Sequence, residues 1–415
     1  MPYYVPIFPA SSVQLIVACK ERGNEAYSKA KYPQAIQEYT KGLSYFTTTA
    51  SPSLSASSED VKDSSDPVHL LTSLLSNRSA SYLESGKMEE AFADADEVVR
   101  LRPHWVKGYF RKGEALAALK RYPEALDVYQ EARKRDKSSK PIVQRLVKMN
   151  MLIDNMNRGL VIHQLLSGRE ICQKSVFSPI NSLIYDFAHQ LRNFIYVVAD
   201  IKSKDCVLVD PCWDIDGILK FVKNEGLNVV AAIATHQHVD HVGGLPPSPY
   251  DKYGVTVEGL KLLLKRLPKI VAYVNANDIP AICKINPDIP VDRLKPTEHL
   301  QVISLPLGAA NATTTLQFYH TPGHTPGSQC VLVDGCRLLS GDTLFIGSCG
   351  RVDFPESNPA DMYTSLNQIL GSLPDDVIVL PGHDYGGEFT TILQEKKHGL
   401  LRPCSKEDFL TAMNK

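Results

Sequence analysis

Residues 228–244 read NVVAAIATHQHVDHVGG, and the C-terminal half of the chain takes its meaning from them. The apolar, β-branched opening fits a buried strand, and the two closing glycines mark a turn. Between them His236, His238, Asp240 and His241 fall within six residues, so three imidazoles and a carboxylate gather where the strand ends. Strand ends in open α/β sheets are where ligands bind. The pattern recurs downstream with His324 in YHTPGHTPGS (319–328), Asp342 in LLSGDTLF (338–345) and His383 in VLPGHDY (379–385). A single His or Asp beside Gly is ordinary turn chemistry. Seven such residues at successive strand ends suit divalent metal, which needs several nitrogen and oxygen donors held rigidly and, for catalysis, a position left to water.

The residues around these motifs read as short β-branched runs separated by helical stretches, which predicts an α/β layered domain. NFIYVVADIKSKDCVLVDP (193–211) predicts a hairpin turning at Lys202 to Lys204. Asp210, closing VLVDP, and Thr235 are candidates to orient ligands from behind; the competing reading is a turn Asp and a strand Thr. Cys349, close in sequence to Asp342, is expected to be a buried small residue. GGLPPSPYDKYGVTVEGLKLLLKRLPKI (243–270) is expected to form a lid or a rim.

The bulk properties bound the answer. At 415 residues, 43% apolar and 22% charged, the chain is globular and long enough for two or three domains. A net charge of -1 supplies no broad basic field, which argues against a nucleic-acid binder. Nine scattered cysteines with no CxxC pair fit a reducing compartment, so a cytoplasmic location is expected. The N-terminal apolar run has no basic stretch ahead of it, and no 18-residue apolar run occurs, so neither a targeting peptide nor a membrane partner is expected.

The first third repeats. GNEAYSKAKYPQAIQEYTKG from Gly23, SASYLESGKMEEAFADADEV from Ser79 and GEALAALKRYPEALDVYQEA from Gly113 align on Ala35, Ala91 and Ala125. Ala91 and Ala125 stand 34 residues apart, the tetratricopeptide period. The longer gap after Ala35 is taken up by TTTASPSLSASSEDVKDSSD, a polar insertion at about 47–66 expected to be disordered. Tyr39, Tyr82 and Tyr129 are expected to supply aromatic packing. The expected domains are a repeat domain over 12–156, closed by a helix within 140–156, a linker over 157–169 and an enzyme over 170–415.

THQHVDH, with the downstream His, Asp and His, resembles the metallo-β-lactamase superfamily. The resemblance implies an all-α tetratricopeptide superhelix followed by an αββα metallo-β-lactamase sandwich. It also implies that His236, His238 and His324 hold one metal and Asp240, His241 and His383 another, with Asp342 between. Two Zn2+ are expected, or one Fe2+ in the alternative. Asp240 and Asp342 are the expected catalytic carboxylates, with a metal-bound hydroxide, formed from a water whose pKa the metals lower to about 7, as nucleophile.

HTPGHTPGS, GDTLFIGSCGRVDF, LPGHDYGGE and EKKHGLLRPCSKEDFL are similar to glyoxalase II and persulfide dioxygenases, with CGRVDF nearer the latter. A hydroxyacylglutathione-type thioester hydrolase is the leading expectation. An iron-dependent glutathione persulfide dioxygenase is the alternative, and a chaperone-tethered adaptor with an idle hydrolase domain the third. Arg351, Lys396, Lys397 and Arg402 are candidates to grip the carboxylates of a glutathione-like substrate. In the repeats, Lys20, Asn24, Asn77, Lys107 and Arg111 resemble the carboxylate clamp of co-chaperone tetratricopeptide domains. The implied partner is the EEVD terminus of cytosolic heat-shock chaperones.

Overall fold

A computed structural model describes residues 4–7, 12–50, 66–173, 179–248 and 250–413. The chain divides into two compact units, Met1–Asp154 and Asn155–Lys415.

The N-terminal unit is built from helical hairpins. α1 (Val13–Ser28) pairs with α2 (Tyr32–Leu43), α3 (Pro67–Glu84) with α4 (Met88–Leu101), and α5 (Val106–Ala118) with α6 (Tyr122–Arg135), before α7 (Lys140–Asn157). Pro33 and Pro123 stand in the first turns of α2 and α6, where a missing N–H costs nothing. Asp66 caps α3 by accepting from the His69 amide at 2.7 Å. Of the polar insertion, 51–65 lie outside the described residues. Thr47–Ala50 corrects the expected boundary, because it forms a strand, β2, antiparallel to β1 (Tyr4–Ile7).

Packing inside the hairpins follows a size exchange that the alignment missed. Gly23 and Gly113 face the rings of Tyr39 and Tyr129, which are fully buried; a Cβ on Gly113 would come within 2.5 Å of the Tyr129 ring. In the middle repeat the corresponding pair is Ser79 with Ala95, both buried, and Ser79 Oγ donates to the Ala91 carbonyl at 2.8 Å. Tyr82 is therefore not the counterpart of the two buried tyrosines: it is only partly buried and lies under Arg78. Gly113→Ala should destabilise the helical unit by roughly 1–3 kcal/mol, the cost of overpacking a filled contact. The check is the midpoint of thermal unfolding followed by helical circular dichroism.

The C-terminal unit holds two six-stranded sheets. The first contains β3 (Leu160–Leu166), β4 (Phe194–Asp200), β5 (Asp205–Val209), β6 (Asn228–Ile233), β7 (Val271–Asn275) and β8 (Leu294–Thr297), in that order. β3 to β5 are antiparallel and β5 to β8 parallel. The second runs β14-β13-β12-β11-β10-β9, from β9 (Val302–Leu305), β10 (Thr314–His320), β11 (Gln329–Val333), β12 (Arg337–Gly341), β13 (Ile378–Pro381) and β14 (Thr390–Thr391). The expected linker over 157–169 is corrected. Its LVIHQLL segment is an edge strand that pairs residue for residue with β4, and it closes the first sheet.

The central strands β4, β5, β11 and β13 are buried on both faces, so they read as near-continuous apolar runs. On β4, Ile195, Val197 and Ala199 join a core with α9 (Ile215–Asn224), which follows α8 (Pro179–Leu191), and with later helices. The intervening positions look toward the other sheet, and the Tyr196 hydroxyl donates to the Pro381 carbonyl at 2.6 Å. Tyr273 and Phe318 also meet across the sheets, ring centroids 5.9 Å apart. Between β6 and β7 lie the short α10 (Val239–Val242) and α11 (Leu260–Arg266), and α12 (Ile279–Ile285) follows β7. On the second sheet a separate core brings in α13 (Pro359–Thr364), α14 (Ile392–His398) and α15 (Lys406–Met413). Helix, sheet, sheet and helix layers result, as expected.

Candidate metal centre

The ligand-bearing turns meet at one end of the sandwich. β6 ends into His236 and His238, α10 presents Asp240 and His241, the turn after β10 brings His324, β12 ends into Asp342, and β13 into His383. Three donor groups result: His236, His238 and His324; His236, His241 and Asp342; and Asp240, His241 and His383, with the donor atoms of each group within 4.8 Å of one another. His238 Nδ1 lies 3.1 Å from His236 Nε2 and 2.9 Å from His324 Nε2. On the other side His241 Nε2 and His383 Nε2 are 3.3 Å apart, each 3.4 Å from Asp240 Oδ2.

Asp342 stands between the halves. Its Oδ2 is 3.5 Å from His324 Nε2, while its Oδ1 is 3.4 Å from His241 Nε2 and 3.3 Å from His383 Nε2. Oδ1 is buried and makes no hydrogen bond. Leaving a buried acceptor unpaired costs about 1–3 kcal/mol, a cost that a cation shared by these groups removes. A Cβ on Gly382 would come within 2.6 Å of this oxygen, so only glycine lets the last turn approach.

Outer partners fix which imidazole nitrogen faces inward. His241 Nδ1 meets Asp210 Oδ2 at 2.8 Å, His324 Nδ1 the Arg351 carbonyl at 2.7 Å, and His383 Nδ1 the Leu191 carbonyl at 2.7 Å. Each acceptor takes the Nδ1 proton and leaves a bare Nε2 pointing at the centre. Thr235 gives its hydroxyl proton to Asp210 at 2.7 Å, so its oxygen can accept from His236 Nδ1 at 3.1 Å. His238 is reversed: Nδ1 points in, and Nε2 lies 3.5 Å from Glu356. Asp210 has a φ of 52°, a left-handed conformation that Asp tolerates and that its bonds to Thr235 and His241 hold in place.

The electrostatics suit positive charge. Burial, then the crowd of other imidazoles, holds His236 well below its ordinary range, and burial with His324 lowers His238 to about 4. Burial opposes ionisation of Asp342 and Asp240, but neighbouring imidazoles outweigh it and hold both carboxyls below their usual range. Burial likewise opposes a charged His241, yet Asp240, Asp342 and Asp210 lift it well above the usual range. The half with the carboxylates thus pulls in a proton where a metal ion would serve. Burial pushes the Cys349 thiol up to about 12, consistent with an inert small side chain.

Four participants escaped the sequence reading. Asn193, buried, donates from Nδ2 to Asp240 at 2.9 Å, and the Trp213 indole N–H, donating to its Oδ1 at 3.1 Å, fixes which end of the amide faces the centre. Tyr385 stacks on His383, centroids 4.7 Å apart, and burial raises its phenol above the ordinary range. Glu356 and the buried Asp278 are the others. Phe354 packs beside His238 and His324.

The proposed substrate contacts fare differently. Arg351 lies over Phe354 at the rim, but its guanidinium is already bidentate with Asp353 at 2.8 and 2.7 Å. Lys396 donates to Asp375 and to the Leu373 carbonyl, while Lys397 and Arg402 are exposed. Among the described residues, no contact ties these three to the seven ligands. Gly243 and Gly244, after the THQHVDH turn, pack against Gly259 and Ile285, and Tyr250 of the insertion stacks on Phe187 at 4.1 Å. That part of the insertion is docked onto α8.

In the repeat unit, Lys20 and Asn24 stand one turn apart on α1, Asn77 on α3, and Lys107 and Arg111 one turn apart on α5. Asn24 Oδ1 accepts from Asn77 Nδ2 at 2.9 Å and from the Tyr39 hydroxyl at 2.8 Å, so the Asn24 amide hydrogens are left for something else. Lys107 reaches solvent, yet lost hydration and then the charge of Arg111 lower its ammonium below the usual range. Arg111 Nε is buried without a hydrogen bond. Among the described residues neither cation is paired with a carboxylate.

The metallo-beta-lactamase superfamily pattern matches residues 190–383, and the tetratricopeptide repeat pattern matches 106–139, the span of α5 and α6. An uncharacterised protein of Aquifex aeolicus is 32% identical over 214 residues, 48% of this chain and 87% of the relative. Human "Persulfide dioxygenase ETHE1, mitochondrial" is 26% identical over 254 residues, 60% of this chain and 82% of the relative. A "Hydroxyacylglutathione hydrolase" of Chromohalobacter salexigens is 32% identical over 193 residues, 46% of this chain and 62% of the relative. Residues 190–383 are a metallo-β-lactamase domain with persulfide dioxygenase and glyoxalase II homologues, and the N-terminal unit carries tetratricopeptide repeat sequence. Among the described residues, no helix is long and apolar enough to cross a membrane.

Proposed function

We propose that the C-terminal unit is a two-metal hydrolase of a glutathione-type thioester, and that the N-terminal unit receives an acidic peptide bearing a free C-terminal carboxylate. The observation that carries the hydrolase reading is Asp342, which turns one oxygen to each of two donor sets and keeps Oδ1 buried without a donor. His236, His238 and His324 would hold one cation and Asp240, His241 and His383 the other. Cations there supply an activated water and a Lewis acid toward a carbonyl oxygen. The chain's own part is to keep each imidazole in the receptive tautomer and each carboxylate ionised. A thiolate leaves readily, so no strong general acid is required, and Tyr385 stays a neutral phenol able to donate a hydrogen bond.

A persulfide dioxygenase is the second reading, favoured by CGRVDF and by similarity to the human persulfide dioxygenase. One test separates the two: elemental analysis of the purified full chain, with assays of S-lactoylglutathione hydrolysis and of oxygen uptake with glutathione persulfide. About two zinc per chain with hydrolysis is the expected result. About one iron with oxygen uptake and no hydrolysis would replace it by the second reading.

For the repeat unit, Lys107 and Arg111, paired with no carboxylate among the described residues, and the amide hydrogens left on Asn24 support a two-carboxylate receptor, of which an EEVD terminus of a cytosolic heat-shock chaperone is the proposed ligand. The cytoplasmic location proposed for the chain is the one in which such a partner would be met.

A further inference from the structure

We infer that Asp278 is a positioning residue that sets the geometry of one half of the metal centre, the half formed by His236, His238 and His324. The inference rests on the metal-centre reading above. Asp278 follows β7, has no exposed surface and, among the described residues, is paired with no Lys or Arg. Its carboxylate accepts from the Gly327 amide at 2.6 Å and from the Thr325 hydroxyl at 2.8 Å, and the backbone N–H of Gln237 faces it closely enough to favour its ionised form.

These three groups come from two segments far apart in sequence, and each segment carries ligands. Gln237 lies between His236 and His238, and Thr325 follows His324 directly. One carboxylate therefore holds the His324 turn and stands against the His236–His238 turn, and the separation of the two fixes where those three imidazoles converge. It contacts none of Asp240, His241 or His383. The approach is tight: a Cβ on Gly327 would fall 2.5 Å from the Asp278 carboxyl carbon. Only an ionised carboxylate faces three donors at once without offering one of its own. An amide would turn its NH2 toward a backbone N–H or the hydroxyl, and only the hydroxyl can reverse its role.

Asp278→Asn should weaken binding of one cation about 10–100-fold, the range seen when an outer partner of a metal ligand is removed, and leave the other cation's affinity unchanged. The measurement is zinc titration of the metal-free full chain against a chromophoric chelator, which resolves two binding steps. Asp200→Asn is the control. Asp200 is an equally buried carboxylate that binds Thr313, Thr314 and the Ser203 amide but no ligand turn. It should lower thermal stability and move neither affinity.

Should Asp278→Asn fail to fold, Thr325→Val removes a single donor and should weaken the same cation less. Two unchanged affinities in Asp278→Asn, or a uniform fall in both, would overturn the inference while leaving the metal centre standing. A wild-type chain that takes up no zinc or iron would remove the metal centre itself, and the role of Asp278 with it.

Discussion

Asp342→Ala is expected to leave a folded chain that has lost one of its two cations and roughly 10^3-fold in kcat. The size follows from what the carboxylate does. It is the one side chain whose two oxygens reach both donor sets, at 3.5 Å to His324 on one side and 3.3 Å to His383 on the other. Removing it costs the charge that lets two cations sit close together. The cation lost with it would have stabilised charge developing on the substrate oxygen, an effect worth about 3–4 kcal/mol in comparable sites. Each 1.36 kcal/mol is about tenfold in rate. The fold should survive, because β12 and β13 are held by ladder bonds and by a core that Asp342 does not enter. Metal content per chain and steady-state kinetics check the prediction together. Two ions per chain with near-parental kcat would mean that Asp342 does not bridge.

The ligands could be read from sequence for a physical reason. Each stands at or just past the abrupt end of an apolar run in a turn that contains or leads into Gly, and strand, turn and donor are all local features. Their outer partners are not local. The Leu191 and Arg351 carbonyls that fix His383 and His324 belong to residues whose side chains play no part in that contact. Asn193 lies 47 residues from the Asp240 it supports, at the start of what reads as a plain strand. Asp278 carries no motif, only burial and the donors that face it.

The misreadings have similar causes. LVIHQLL reads as a linker because only Arg158 and Gly159 separate it from α7, and its partner β4 begins 28 residues after it ends. Basic residues near the C-terminus read as carboxylate grips because their charge is visible in sequence, while Asp375, which neutralises Lys396, stands 21 residues away along the chain. The Gly113–Tyr129 contact is a pair at fixed spacing, but its middle counterpart, Ser79 with Ala95, sets two small buried residues where the others set glycine against a ring and so escapes alignment by eye.

Lys107→Ala should weaken binding of an EEVD-ending peptide by at least about 30-fold without weakening the fold, because truncating one partner of a charge-assisted contact costs about 2–5 kcal/mol. Two like charges one turn apart on α5 repel, and a lysine whose ammonium is lowered in the folded chain binds its proton less tightly there than when unfolded. At neutral pH the charged form is therefore a cost to the fold, and alanine relieves it. Lost binding in a chain of equal or greater thermal stability is then attributable to the contact. Asn24→Ala removes only a neutral donor and should cost less, about 0.5–1.5 kcal/mol. Salt should weaken the wild-type complex. A peptide ending in a carboxamide should bind as poorly as the variant does, since the receptor reads a main-chain carboxylate as well as side-chain charge. Fluorescence anisotropy with the free-acid and amidated peptides measures all of these. Equal binding of both peptides, or undiminished binding by Lys107→Ala, would leave α1, α3 and α5 as a helical scaffold whose cations serve some other end.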